Sequence, residues 1–412
     1  MPLSSLTSPG HVEAQFAQVT DFLLAHRSLW QERPFVDRDV AWSSSHPGLH
    51  RWFSALPVPA IDAAESGHFP EDLPREARAL QEQADAVSAL PSIHSPPTPE
   101  LVEAKRPRRI PGRKWLQIRA FADATLPELG DAEEIVDWCS GKGHLGRTLA
   151  QLTDAPFHAL ERDPFLCDRG TEEATRWNAE GHFHPVDVRS PAARNVIRPS
   201  SAVVGLHPCG VLSEELLEAS CERGAAVSIH APCCYHALGG LKTRRSRSPQ
   251  AQKAGLELTS EQLRLATTDE VVARPSIRDA RRRELSFRQG LDLLLREASG
   301  EDLYRNQGPF PRSLLDLPFE QFCHEASRRL QRPLPMRWDP VSAEAAGAER
   351  SRESRALGLV RGLFRRVMEV HVVLDRALWM LDEGMAVQLG TFCSREVTPR
   401  NIWMTCRPGD AR

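Results

Sequence analysis

The sequence has no apolar run of about 18 residues, the length a helix needs to cross a bilayer, so no transmembrane helix and no membrane partner are expected. Its opening, MPLSSLTSPG, lacks a basic stretch followed by an apolar one, so no secretory signal is read there. Nine cysteines occur without regular spacing, two of them adjacent, which argues against a disulfide framework and for a reducing, cytoplasmic setting. Lysine is missing from residues 1–104, and basic residues elsewhere are overwhelmingly arginine. What remains is an ordinary globular composition, 41% hydrophobic, in a chain of 412 residues, long enough for two domains or for one with large additions.

The net charge of −3 hides an asymmetry. Residues 1–104 carry 14 acidic and 6 basic side chains, and the remainder 41 acidic and 46 basic, so a polyanion would meet the later part of the chain. Apolar residues at Phe16, Val19, Phe22, Leu23, Leu29 and Trp30 predict a helix within 11–31, and a second helix is expected over 72–90. Trp30, Trp42 and Trp52 read as a small aromatic core, with a base-stacking platform as the sharper alternative. SIHSPPTPE, 92–100, reads as a linker. The following KRPRRIPGRK, 105–114, holds Lys105, Arg106, Arg108, Arg109, Arg113 and Lys114: a solvated surface, or a phosphate grip beside the helix that follows.

From 135 to 235 strand-like and helix-like segments alternate. Strands are expected at 135–139, 157–161, 183–188, 201–207 and 225–231, and helices at 145–152, 167–179 and 213–222, the last with Ser213 as N-cap. Such alternation implies a parallel sheet covered on both faces, with ligands bound beyond the carboxyl ends of its strands. Those ends carry the unusual residues. IVDWCSGKGHLG (135–146) runs from a buried strand through Gly141 and Gly143, which permit a tight turn and close approach of a ligand. It differs from the dinucleotide fingerprint G-x-G-x-x-G. Glu161 ends the second strand, where a carboxylate can accept hydrogen bonds from both ribose hydroxyls of a nucleoside, with Asp163 as its competitor. Asp187 follows the third strand. VVGLHPCG (203–210) and SIHAPCCYH (228–236) end the fourth and fifth, placing His207, Cys209, Cys233, Cys234, Tyr235 and His236 on one edge.

The 135–146 stretch resembles motif I of class I S-adenosylmethionine (SAM) methyltransferases, with Cys139 where a glycine is usual. Together DWCSGKGHLG, GLHPCG, APCCYH and the late VVLDRA…SREVTPRNIWM resemble the methyltransferase-like domain of glutathione S-transferase C-terminal-domain-containing proteins, and more distantly the broader family that includes an acceptor-stem tRNA 2′-O-methyltransferase. The resemblance implies an α/β fold: a Rossmann-like seven-stranded class I sheet with a helical N-terminal region and a long helical insertion before the last two strands. The corresponding division is 1–104, 105–238, 239–366 for the insertion on the substrate side, and 367–412. It implies SAM held at the motif I turn by Asp137, Gly141 and Gly143, with Cys233-Cys234-Tyr235 beside the methyl group; Cys139 and Ser140 of the same turn, and Glu161, Asp187 and His207 at the strand ends, complete the expected SAM-binding set.

The insertion carries helical patterns at 259–267, 280–298, 318–331 and 344–366, and the chain is expected to close with a strand at 367–374, a helix at 375–383 and a strand at 401–406. His207 or His236 can serve as general base, and Tyr235 can stack on a base. A thiolate mechanism, Cys233 or Cys234 attacking a base with Cys209 resolving, is a second reading. A metal site at Cys209, Cys233, Cys234 and His236 is a third, disfavoured because adjacent cysteines seldom hold one zinc comfortably and no C-x-x-C is present, so no metal is assigned. The expected activity is SAM-dependent methyl transfer to RNA, tRNA or rRNA, gripped by basic clusters at 105–114, 242–247 and 278–288. The alternatives are a small-molecule or protein acceptor, or a non-catalytic binding module.

Overall fold

Strand β1 (Glu134–Trp138) is buried at every position, as a strand flanked on both sides in a covered parallel sheet must be. The computed structural model describes residues 8–93, 110–177, 179–268 and 275–409. Around β1 lie β2 (Phe157–Glu161), β3 (Gly181–Pro185), β4 (Ser201–Cys209) and β5 (Val227–Cys233), joined at the far edge by β6 (Met385–Thr391) and β7 (Ile402–Pro408). The order is β3-β2-β1-β4-β5-β7-β6, parallel except for β7, which runs antiparallel to both neighbours.

Alternation along each strand divides the core. Ile135, Val204 and Ile229 face one side, packed with Ile118 and Phe121 of one flanking helix and Leu149 of another. Val136, Trp138 and Val203 face the other, packed with Leu216. The helices that cover the sheet are α1 (Pro9–Ala25), α2 (Gly112–Thr125), α3 (His144–Thr153), α4 (Pro164–Arg176), α5 (Val211–Glu222) and α6 (Arg365–Asp382).

Three expectations differ from the structure. Residues 367–383 are not a strand followed by a helix but one helix, α6, and the strand lies downstream at β6. VMEVHVVL is apolar and β-branched on every side, which suits a doubly covered strand. It suits equally a helix buried all round, and α6 is buried at fourteen consecutive positions, Val367 to Met380. Ser213 is not an N-cap. The helix starts two residues earlier behind Gly210, and Ser213 is buried with its hydroxyl 3.2 Å from an Arg376 guanidinium nitrogen. The N-terminal helix is also interrupted, with α1 ending at Ala25 and a short helix at Arg27–Gln31. The linker at 92–100 falls almost wholly outside the described residues, as do Lys105, Arg106, Arg108 and Arg109.

The chain divides into two units, each assembled from separated segments. The first (1–25, 85–269, 365–412) contains the sheet. The second (26–84, 270–364) is helical in its described residues. Its two long helices, Pro275–Ser299 and Pro340–Gly362, cross where Gly347 lies so close to Gly290 that a Cβ on Gly347 would stand 2.6 Å from its backbone. Trp30 and Trp42 are buried there, which makes them core rather than a stacking platform.

In the sheet unit α6 carries charge into the interior. Asp375 accepts hydrogen bonds from the Ser248 amide (2.8 Å), the Ser248 hydroxyl (2.7 Å) and the Arg247 amide (3.0 Å), and pairs with buried Arg244. Burial works to raise its pKa, but Arg244 and the two amides outweigh it and hold the carboxyl below its ordinary value. Replacing Asp375 with Ala leaves Arg244 buried and uncompensated. A loss of about 3–5 kcal/mol is expected in urea unfolding, and a loss under about 1 kcal/mol would show that this carboxylate does not tie the 244–248 segment to α6.

Candidate active site

β1 ends in a turn with three left-handed residues: Cys139 (φ +56°), Gly141 (φ +59°) and Gly143 (φ +63°). Cys139 thus adopts the backbone that glycine takes easily and an L-residue only at a cost. The turn is tied to β2 by the Ser140 amide donating to the Leu160 carbonyl (3.0 Å) and the Gly141 amide donating to Glu161 Oε2 (3.0 Å). The other oxygen of Glu161 accepts from the Asp163 amide (2.9 Å), and Asp163 itself caps α4 through the Phe165 amide. Asp163 is therefore a helix cap, and Glu161 is the carboxylate against the glycine turn.

Asp137 is buried beneath that turn. Its Oδ2 accepts from the Gly146 amide (2.9 Å), satisfying one of the orphan donors at the start of α3. Burial raises its pKa to about 7, against the Gly146 amide, Lys114 and Arg147, which favour the carboxylate. Burial, then Glu161, pushes the Cys139 thiol up to about 12, so it is a neutral wall.

A cleft of ≈ 330 Å³ opens beyond these strand ends. Cys139, Leu160, Glu161, Val186, Asp187 and Leu212 line it, and Cys209 and Ala237 close one side. This is the size and character of a small-molecule site: apolar walls with few polar groups. In the turn next to Cys139 the Ser140 hydroxyl is buried without a partner among the described residues, and a Cβ on Gly141 would meet nothing within 4 Å. An orphan hydroxyl, open backbone and a pre-oriented carboxylate fit a nucleoside bearing an amino acid tail. Asp187 also faces the cleft, but its carboxylate is held by Arg189 (2.6 Å to Oδ2), which lowers its pKa to about 2. An adenine amino group would share that carboxylate with the guanidinium.

The second half of the site is made where β4 and β5 end. They pair in register from Ala202↔Val227 to Leu206↔Ala231, then slip, so that Cys209 faces Cys233. His207 (φ +67°), Gly210 (φ +54°) and Cys234 (φ +47°) absorb the turns that follow. Only glycine fits at 210, because a Cβ there would sit 2.0 Å from the Ala237 carbonyl oxygen. The thiols of Cys209 and Cys233 are 3.6 Å apart, and Cys233 also points at the His207 carbonyl (3.3 Å). Of the three thiols Cys234 gives up its proton first, because Cys209 and then Cys233 can donate to its sulfur, whereas Cys233 is pushed far up.

His207 and His236 both remain neutral near pH 7. Burial lowers His207 to about 4, helped by Arg400, Lys114 and Arg113. Its Nε2 lies 3.3 Å from Gln117 Oε1, and its Nδ1 is buried without a partner among the described residues. His236 is half-buried, with Nδ1 3.3 Å from the Thr267 hydroxyl. Tyr235 is corrected: it is 1% exposed, with its hydroxyl donating to Glu369 Oε1 (3.0 Å) and lying 3.3 Å from the Pro232 carbonyl, so its ring has no face free for a base.

The sequence reading missed the α6 residues that support this edge. Arg376 binds the Gly210 carbonyl (3.1 Å), Ser213 and Glu214, and Glu369 takes the Tyr235 hydroxyl. Their signal was present: Glu, Asp and Arg inside an otherwise apolar run must be paired when buried. Gln117, from the helix before motif I, and Arg400 were missed, and Lys114 was read only as part of the basic run 105–114, because no sequence pattern links them to His207.

The strand order, the glycine turn with its carboxylate and the cleft define a SAM-dependent methyltransferase domain of class I, with S-adenosylmethionine as cofactor. Residues 113–240 match a family described as a methyltransferase domain. Over 128 residues the chain is 29% identical to a glutathione S-transferase C-terminal domain-containing protein homolog of Drosophila pseudoobscura pseudoobscura, covering 31% of this chain and 21% of that protein. The chain thus spans about a fifth of that relative's length. Among solved structures it is similar to the Pyrococcus abyssi tRNA (uracil-54, C5)-methyltransferase in complex with S-adenosyl-L-homocysteine, at 18% identity and TM-score 0.25 over 32% of this chain and 33% of that one. It is also similar to a coclaurine N-methyltransferase bound to N-methylheliamine and S-adenosyl-L-homocysteine, at 12% identity and TM-score 0.24 over 53% and 63%.

Cys139 gives a direct test of the turn. Cys139→Gly should keep SAM affinity within about twofold in calorimetric titration, because glycine accepts the same φ. Cys139→Val should weaken it at least about tenfold, since a β-branched residue resists left-handed backbone. Equal affinities for the two variants would show that the left-handed turn is not what SAM requires.

Proposed function

We propose that this chain transfers the methyl group of SAM to RNA, with tRNA and rRNA as the acceptors to examine first, in the cytoplasm. The observation that supports an RNA acceptor is the cationic rim of the site. Lys114 is exposed and Arg400 half-buried, both act on His207, and neither makes an ion pair among the described residues. The other clusters contribute less than their sequence suggests. Arg244 pairs with Asp375, Arg247 with Glu218 (3.0 Å), Arg282 with Asp62 (2.9 Å) and Arg288 with Glu284 (2.8 Å). Lys242 and Arg245 remain exposed, and Lys242 adjoins the site through Ser260, whose amide donates to the Lys242 carbonyl (2.8 Å) and whose hydroxyl donates to the His236 carbonyl (2.7 Å).

SAM brings its own electrophilic methyl, so the protein's tasks are position and, for a hydroxyl or amine acceptor, removal of a proton. Glu161 receives the ribose hydroxyls while its other contacts keep the glycine turn in place. Asp137 receives the amino end. His236 takes the acceptor's proton, because its neutral ring presents Nε2 while Thr267 holds Nδ1.

Incubation with radiolabelled SAM and total cell extract should put label into RNA; label in a small molecule or a protein would replace this reading. In RNA-binding titrations the Lys114→Ala/Arg400→Ala pair should lower the slope of log affinity against log salt by about 1.5, two phosphate contacts' worth, and an unchanged slope would remove the rim from the RNA path. SAM affinity should tighten as pH rises from 6 to 8. Asp137 is protonated below about 7 in the free protein, and a cationic amino group binds the carboxylate. Asp137→Asn should flatten that dependence, and a pH-independent wild type would separate Asp137 from the amino end of SAM.

A further inference from the structure

We infer that Cys209, Cys233 and Cys234 form a binding site for a thiophilic d10 cation, zinc first. Their sulfur atoms all lie within 4.8 Å of one another, with Cys209 and Cys233 3.6 Å apart. Thiolates around one tetrahedral zinc, at ~2.3 Å from the metal, stand ~3.8 Å from each other. A disulfide needs ~2.05 Å, so the trio is spaced for a shared ion and not for a bond.

The usual objection is that Cys233 and Cys234 are neighbours, and neighbouring side chains of a strand point to opposite faces. The backbone answers it. β5 stops at Cys233, and Cys234 turns into the left-handed region at φ +47°, which directs its thiol back to the side of its neighbour. The register slip after Leu206 brings Cys209 level with Cys233. Three local distortions, at His207, Gly210 and Cys234, thus converge on one point. Strain of this kind persists only where the surroundings enforce it. Here they do, through the Gly210 amide on the Cys233 carbonyl (2.8 Å), the Ala237 amide on the Cys234 carbonyl (2.7 Å) and Arg376 on the Gly210 carbonyl (3.1 Å).

Three thiolates and a divalent ion carry one net negative charge, and Arg400 lies close enough to Cys234 to offset it. Binding releases the thiol protons to solvent and changes no oxidation state. Three protein ligands leave a tetrahedral ion one position for water or a substrate atom. Cys209 is exposed and lines the cofactor cleft, which provides an entry path.

The test uses the full chain without a histidine tag, purified from zinc-supplemented medium, and needs no SAM, so it stands or falls apart from the methyl-transfer reading. Elemental analysis should find about one zinc per chain. Cobalt(II) added to the metal-stripped protein should produce thiolate-to-metal charge-transfer bands in the near ultraviolet. Cys209→Ser and Cys234→Ser, checked for folding by circular dichroism, should lose both signals, while Cys221→Ala on α5 keeps them. Zinc below about 0.1 per chain together with featureless cobalt spectra would overturn the site, since a structural thiolate site holds its metal through purification. So would metal retained by both serine variants, or a Cys209–Cys233 disulfide in the freshly isolated chain.

Discussion

Arg376 holds the catalytic edge together from inside. Its guanidinium reaches from α6 to the carbonyl of Gly210 and to Ser213 and Glu214, at the point where β4 hands over to α5. That point is where an ordinary parallel strand would simply end. Here β4 must first turn His207, then present Cys209, then pass through a glycine whose neighbours leave no room for a side chain. Guanidinium suits the task because it keeps its charge when buried and offers several donors in a fixed plane. Asp375, one residue before it, does the same for the segment after β5 by holding Arg244, Arg247 and Ser248. One helix thus fixes both the end of β4 and the segment after β5 through a pair of adjacent charged residues of opposite sign.

Much of this was legible in the sequence. The alternation between 135 and 235 placed five strands within a few residues of where they stand, because short β-branched runs bounded by turns have one natural reading in that setting. Glu161 was found because it ends a strand, and the glycine turn was found because Gly141 and Gly143 have no other good use. The 367–383 segment was misread because burial on every side erases the periodicity that separates helix from strand. Tyr235 was misread for a related reason: its neighbours on the chain face the site, but the left-handed turn at Cys234 reverses the facing of the residue after it. The sequence pointed to a positive φ at Cys139, which stands at a motif glycine, but carried no such sign for His207 or Cys234.

The arginine bias has a similar two-sided meaning. Much of the guanidinium charge in 242–247 and 278–288 is neutralised within its own unit, by Asp375, Glu218, Asp62 and Glu284. Counting basic residues therefore overstates the surface that a polyanion would meet. Lys114, at the end of the basic run 105–114, and Arg400 are distant in sequence, yet both bear on His207.

The segmental build of the two units has a consequence for synthesis. The helical unit draws its last segment from 270–364, whereas the sheet unit waits for 365–412. A chain emerging from the ribosome therefore has every segment of the helical unit before the sheet is complete. Through that interval β5 has a bare edge, since its partner β7 is made of residues 402–408. A bare parallel edge invites pairing with another chain. Residues 402–408 close that edge only after the whole helical unit has been made.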